Sequence, residues 1–242
     1  MSVSLFEAQI AREFWNKTRE PETFPRNLRR AIPKAVPLTV EFMPRFSIRV
    51  AVRWLRQHGI TCKLPGVDRQ LKACLVARNG HGFALVDGSD DEDEQRFSIA
   101  HELAHFLRDY WLPRQRVLKR LGADALKVLD GRRPPTDPER FHSLLRNVPL
   151  GLHLHLLERD EAGSPLKSST AQAEEKADRL AYELLAPAEH ILLHGTPGSP
   201  EALAETLRRD HGLPAAQALH YAGILLPPAK TDPLLRRLKL LT

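Results

Sequence analysis

The apolar residues of this chain follow two periods, and those periods divide it into elements. Between residues 4 and 19, Phe6, Ile10 and Phe14 recur every fourth position beside Ala11 and Trp15, which predicts an amphipathic helix ended by Pro21. Residues 46 to 58 repeat the pattern with Ile48, Ala51, Val52, Trp54 and Leu55, and Gly59 suits the helix end. Residues 60 to 63 then predict a short strand. Two β-rich runs, 73 to 78 and 83 to 87, are joined by Asn79-Gly80-His81-Gly82, a hairpin signature because tight hairpin turns require positive φ. Helical spacing returns with Phe97, Ala100, Ala104 and Leu107, and again over residues 172 to 186, closed by Pro187. Residues 150 to 158 alternate strictly, predicting a strand with His153 and His155 on one face.

The intervening segments are less periodic. Residues 21 to 48 hold Pro21, Pro25, Pro33, Pro37 and Pro44, which predicts a loop or extended arm, serving as a partner-binding arm or as a strap across the core. Leu118, Leu121, Leu126 and Leu129 extend or follow the helix of residues 97 to 107 until Pro134-Pro135, and residues 137 to 146 suggest one more short helix. The polar stretch 159 to 170 reads as a loop, either a lid or a connection. Beyond Pro187 come apolar residues 191 to 193, a turn at 195 to 199, and helices at 200 to 210 and 214 to 221. Two short helices around Gly212 suggest a helix-turn-helix, but the second has no Lys or Arg and only Gln217 and His220 to read bases. A small helical cap on the core is therefore the expectation. The basic, amphipathic tail 234 to 242 is expected to dock on that core rather than on a partner groove or an anionic surface.

Composition changes this picture modestly. With 242 residues and 42% hydrophobic content the chain can bury a sizeable core. The formal charge of +6 is spread among acids, as on a solvated surface, so no direct nucleic-acid binding is expected. Cys62 and Cys74 are too few for a disulfide framework and are not spaced as a metal pair. With no long apolar run at the N-terminus and no membrane span, the expected setting is the cytoplasm. The predicted organisation is an N-terminal helix and proline-rich arm (1–45), a main domain (46–195) and a small C-terminal helical region (196–242).

Chemistry concentrates at His101-Glu102-Leu103-Ala104-His105. At 3.6 residues per turn both imidazoles share one helix face, within reach of one Zn²⁺, and Glu102 lies beside them free of the metal. Hydrolysing an amide at neutral pH requires a deprotonated water, and bound Zn²⁺ lowers the pKa of water to about 7. Glu102 is placed to take that proton and pass it to the leaving amine. Ser89-Asp90-Asp91-Glu92 reads as a capping box for this helix, with the acids of residues 90 to 94 over its positive end.

A hydrolytic zinc has three protein ligands and one open position, so a third ligand is required. On the helix of residues 172 to 186, Ala177, Leu180, Ala181, Leu184 and Leu185 form one side and Glu175, Lys176, Arg179 and Glu183 the other. Glu174 and Asp178 fall at the edge of the apolar side, where a carboxylate is costly without a compensating charge. Glu174 is the candidate third ligand, and Asp178 the residue that accepts a hydrogen bond from a ligating histidine. His153 and His155 remain open between a solvated strand face, substrate or oxyanion contact, and direct ligation. Tyr110 and Tyr182 are further candidates for the oxyanion.

FSIAHELAHFL followed by EEKADRLAYELLAP resembles the ImmA/IrrE zinc metallopeptidases of bacteria and their phages, in outline over roughly residues 70 to 225 and in detail over the two helices. The resemblance implies that His101, His105 and Glu174 bind zinc and that Glu102 is the base. It also implies an α+β, zincin-like metallopeptidase core, with a small sheet packed on the HExxH helix and a helical C-terminal cap. Members of that family cut helix-turn-helix repressors and so relieve repression of stress-response or mobile-element genes. The interval from His105 to Glu174 is longer than the family's usual one. The alternative is a non-hydrolytic zinc-containing module that binds a repressor or toxin-antitoxin partner, against which Glu102 argues because a structural zinc needs no base.

Overall fold

The computed structural model describes residues 5–62, 67–137, 150–158, 168–193 and 198–227. Four strands, β1 (Leu38–Met43), β2 (Leu71–Arg78), β3 (His81–Asp87) and β4 (His153–Glu158), form a mixed sheet in the order β1-β3-β2-β4. β1 runs parallel to β3, and the other two pairings are antiparallel. Arg78 pairs with His81, so the hairpin turn is Asn79-Gly80 alone, with φ of +53° and +82°. Asparagine and glycine tolerate that left-handed backbone best.

Side chains alternate across the sheet and separate two cores. On one face Cys74, Val76 and Leu85 pack with Ala51, Trp54 and Leu55 of α3 (Ile48–Gln57). On the other, Ala73, Leu75, Ala77, Ala84 and Val86 pack on α4 (Glu92–His105). The same alternation divides β4: Leu154 and Leu156 join the α3 side, which turns His153 and His155 toward α4. The site face is thus the sheet's second face.

The larger core also takes in α1 (Leu5–Thr18), α2 (Leu28–Ala35), α7 (Ser168–Leu185) and the pair α9 (Pro200–His211) and α10 (Ala215–Leu225). In α7, Ala177, Leu180, Ala181, Leu184 and Leu185 are fully buried, as the helix-face reading requires. Ser199 Oγ caps α9 by accepting from Ala202 N–H at 3.2 Å, and left-handed Gly212 ends it. Arg96 of α4 donates to Gly212 O at 2.8 Å and pairs with Glu92 and Asp93, tying the cap to the start of the site helix.

Several expectations are corrected. Residues 21 to 48 are not an arm, because they supply α2 and β1. Asn27 Oδ1 caps α2 by accepting from Arg30 N–H, and burial of Leu28, Ala31 and Ile32 outweighs the one helical bond that Pro33 removes. Residues 60 to 62 form no strand. Ser89 does not build a capping box: its Oγ accepts from Arg45 N–H, and α4 starts at Glu92 after Asp91, which makes no capping bond. The expected helical continuation of α4 is present, with an irregular join. It passes through a π-helical turn, Phe106–Trp111, into α5 (Leu112–Leu121), which stops at Gly122, and α6 (Ala125–Leu129) follows. Residues 138–149, 159–167, 194–197 and 228–242, with most of the expected 137 to 146 helix, most of the expected 159 to 170 loop, most of the expected 195 to 199 turn and the tail, lie outside the described residues; residues 168–170 are helical, as the start of α7, and not loop.

Glu183, expected on the outer side of α7, is 4% exposed. α8 (Ala188–Leu193) and α10 cover it, and it accepts from Ala188 N–H and from the Tyr221 hydroxyl, each at 3.4 Å. Burial raises its pKa to about 7, with Arg12 opposing and Glu189 reinforcing the shift.

Two outcomes follow from this packing. A Cβ at Gly82 would lie 2.7 Å from both Leu38 and the buried Phe106 ring, so Gly82→Ala should cost ~1–3 kcal/mol in chemical denaturation. Glu183 keeps its proton when folded up to about pH 7, whereas the unfolded chain releases it near 4.5. Stability therefore falls as pH rises between these values, by on the order of 3 kcal/mol, and stays low above them. Glu183→Gln should flatten this dependence in denaturation curves recorded at about pH 5 and pH 8; an unchanged slope would contradict the assignment.

Candidate metal centre

α4 is buried along its entire second half, from Phe97 to His105, which fixes the two histidines against the sheet. Their rings are 4.8 Å apart at 61°, splayed as two imidazoles meeting one ion must be. Glu174 from α7 and His155 from β4 complete a group of four whose donor atoms all lie within 4.8 Å of one another. Helix α4, helix α7 and strand β4 thus converge on one point.

The outer nitrogen of each helix histidine is occupied. His101 Nδ1 lies 2.8 Å from Asp178 Oδ1, and His105 Nδ1 lies 2.7 Å from Asp109 Oδ2. Donating from Nδ1 leaves the Nε2 lone pair facing inward, the tautomer a metal requires. Among the described residues neither buried Nε2 makes a hydrogen bond, although Glu174 Oε2 sits 3.3 Å and 3.5 Å away. Two orphaned inward-facing nitrogens beside a carboxylate are what a cation site leaves when its ion is not counted.

The spacings suit a tetrahedral ion. Four donors about 2.1 Å from one centre are about 3.4 Å apart. His101 Nε2, His105 Nε2 and His155 Nε2 lie 3.3, 3.5 and 3.3 Å from Glu174 Oε2. The cluster can hold a metal ion.

Glu102 is outside the donor group and fully buried. Its two oxygens lie 3.3 and 3.0 Å from His155 Nδ1, so His155 stands between Glu102 and Glu174. Burial would lower the pKa of His155, yet Glu102 and Glu174 raise it to about 10. Burial would likewise lower His101, but Asp178, Glu174 and Glu102 raise it to about 9. For Glu174 burial pushes upward, while the three histidines hold it far below the carboxylate range. The histidine shifts report the carboxylates around them and the Glu174 shift reports the imidazoles around it: the pocket sets opposite charges against each other at close range.

The other candidates lie apart from the donors. His153 faces the same side as His155, beside Asp109 and Tyr110, and burial lowers its pKa. The Tyr110 hydroxyl accepts from Gly80 N–H of the hairpin at 2.6 Å. Tyr182 is buried in the core, stacked on Tyr221 at 4.5 Å and packed by Phe97 at 5.6 Å. Asp109 is the residue that sequence reasoning missed; its signal was its i+4 spacing from His105 on a continuing helix.

No protein-family model, no curated protein and no solved structure matches the chain. Because Asp178 and Asp109 orient the two helix imidazoles, Asp178→Asn and Asp109→Asn should each weaken metal affinity roughly 10- to 100-fold. Competition against a fluorescent chelator checks this, and wild-type affinity in both variants would refute the orienting role.

Proposed function

We propose that the chain is a zinc-dependent endopeptidase of the ImmA/IrrE kind, with a zincin-like core, that cuts a helix-turn-helix transcriptional repressor. The observation that carries the reading is Glu102. A wholly buried carboxylate outside the donor group, one residue from His101, stands where a hydrolytic site requires a base, although its contact with His155 Nδ1 would also orient that ring in a structural site.

His101, His105 and Glu174 would hold the ion, and zinc suits a set of imidazoles and a carboxylate at tetrahedral spacing. When bound, zinc supplies Lewis-acid polarisation and lowers the pKa of water to about 7. The chain's own residues do the rest. Glu102 accepts the proton as a water oxygen adds to the peptide carbonyl carbon, then delivers it to the amide nitrogen as the C–N bond breaks. Asp178 and Asp109 keep both imidazoles aimed inward throughout. Among the described residues β4 is an edge strand of the sheet, so an extended substrate can add to it through backbone hydrogen bonds, a mode that tolerates varied side chains. The repressor as substrate rests on the two-motif resemblance. Among the described residues no helix is long and apolar enough to cross a membrane.

One observation favours the second reading, a non-hydrolytic zinc-containing module that binds a repressor or toxin-antitoxin partner. Four protein donors make a closed set, the mark of structural sites.

Elemental analysis of wild type, Glu174→Ala and Glu102→Gln, with repressor cleavage on the same samples, separates the two. Peptidase action predicts about one zinc in wild type, its loss in Glu174→Ala, and a Glu102→Gln protein that keeps zinc but cuts 10²- to 10⁴-fold more slowly. A wild type that holds zinc and binds a repressor uncut would establish the module instead.

A further inference from the structure

The four donors are chemically unequal. His101 and His105 sit on a buried helix, and each has its own carboxylate, Asp178 and Asp109, on the outer nitrogen. His155 is held instead by the carboxylate of the proposed base. Its outer nitrogen rests on Glu102, at 3.0 Å, and its inner nitrogen reaches both oxygens of Glu174, at 3.2 and 3.3 Å. It also comes from β4, which among the described residues pairs only with β2 and does so with a register shift near Leu71. An edge strand is held more loosely than a buried helix.

Ring geometry points the same way. Two imidazoles binding one tetrahedral ion have centroids about 5 Å apart. The pairs His101–His105 and His101–His155, at 4.8 and 5.4 Å, match this. His155 instead leans flat on His105, with centroids 3.8 Å apart at 23°. Its inner nitrogen has the right spacing to Glu174, but the His105–His155 pair is not splayed around the common centre, and of those two rings His155 is the one carried by a strand and not by the buried helix.

Resting on the metal-site reading above, we propose that His155 is a fourth, displaceable ligand that shuts the site. Seated, it fills the position a substrate needs and engages Glu102 through its other nitrogen. Swung outward, it opens that position and frees Glu102 in one movement. The closed four-donor set and the presence of a base are then two states of one site, so the chain is built to stay silent until a substrate carbonyl, or a group that mimics it, displaces His155.

X-ray absorption on the zinc-loaded full chain counts imidazoles directly. The proposal predicts three imidazoles and one carboxylate in wild type, falling to two imidazoles when acetohydroxamate, a chelating probe of open metal positions, is added. His155→Asn should still bind zinc, show two imidazoles without the probe, and bind the hydroxamate roughly tenfold or more tightly than wild type, because no seated ligand has to leave. Two imidazoles in probe-free wild type, or three retained with the probe bound, would overturn the inference while leaving the metal site standing. Wild type that takes up no zinc would overturn both. Should His155→Asn fail to fold, the two wild-type spectra decide alone.

Discussion

Carboxylates are expensive to bury, and four of them, the fully buried Glu102 and the part-buried Asp109, Glu174 and Asp178, converge on three imidazoles at the meeting of α4, α7 and β4. Such a cluster persists only if matched charge and hydrogen bonds offset its desolvation. The histidines supply part of that compensation, and a metal ion, which the cluster can hold, would supply the remainder. Much of the surrounding fold serves to hold these groups against their mutual repulsion.

The holding is done by ordinary packing. Period-two alternation gives β4 a leucine face toward α3 and a histidine face toward α4. Burial of Ala177, Leu180 and Ala181 sets the rotation of α7, and with it the direction of Glu174 and Asp178. The π-helical turn after His105 keeps Asp109 against that histidine while the next residue, Tyr110, bonds the β2–β3 hairpin. π-Bulges of this kind recur at functional sites.

The parts legible in the sequence were those where one local period governs. His101 and His105 at i and i+4, the apolar face of α7 and the Asn79-Gly80 hairpin each depend on a few neighbouring residues. What was not legible depends on contacts distant in the chain. In residues 21 to 48 the prolines hid α2 and β1, although Leu38, Val40 and Phe42 do alternate; parallel pairing with β3 makes that run a strand. Glu183 looked solvated on a helical wheel because the wheel cannot show α8 and α10 lying over it. The alternation of β4 put His153 and His155 on one face but could not say which reaches the donors. Strand register decides that, pairing His155 with Leu75, at the sheet's centre, and His153 with Ala77. Ser89 met the capping rule in spacing, yet Arg45 N–H claimed its hydroxyl first.

The central claim is that one metal ion sits among His101, His105, His155 and Glu174. Crystals grown with zinc, measured on both sides of its absorption edge, test it most directly. The account predicts a single strong anomalous peak about 2.0–2.1 Å from the Nε2 atoms of His101 and His105 and from a Glu174 oxygen. No peak there, or one bound elsewhere on the chain, would contradict it.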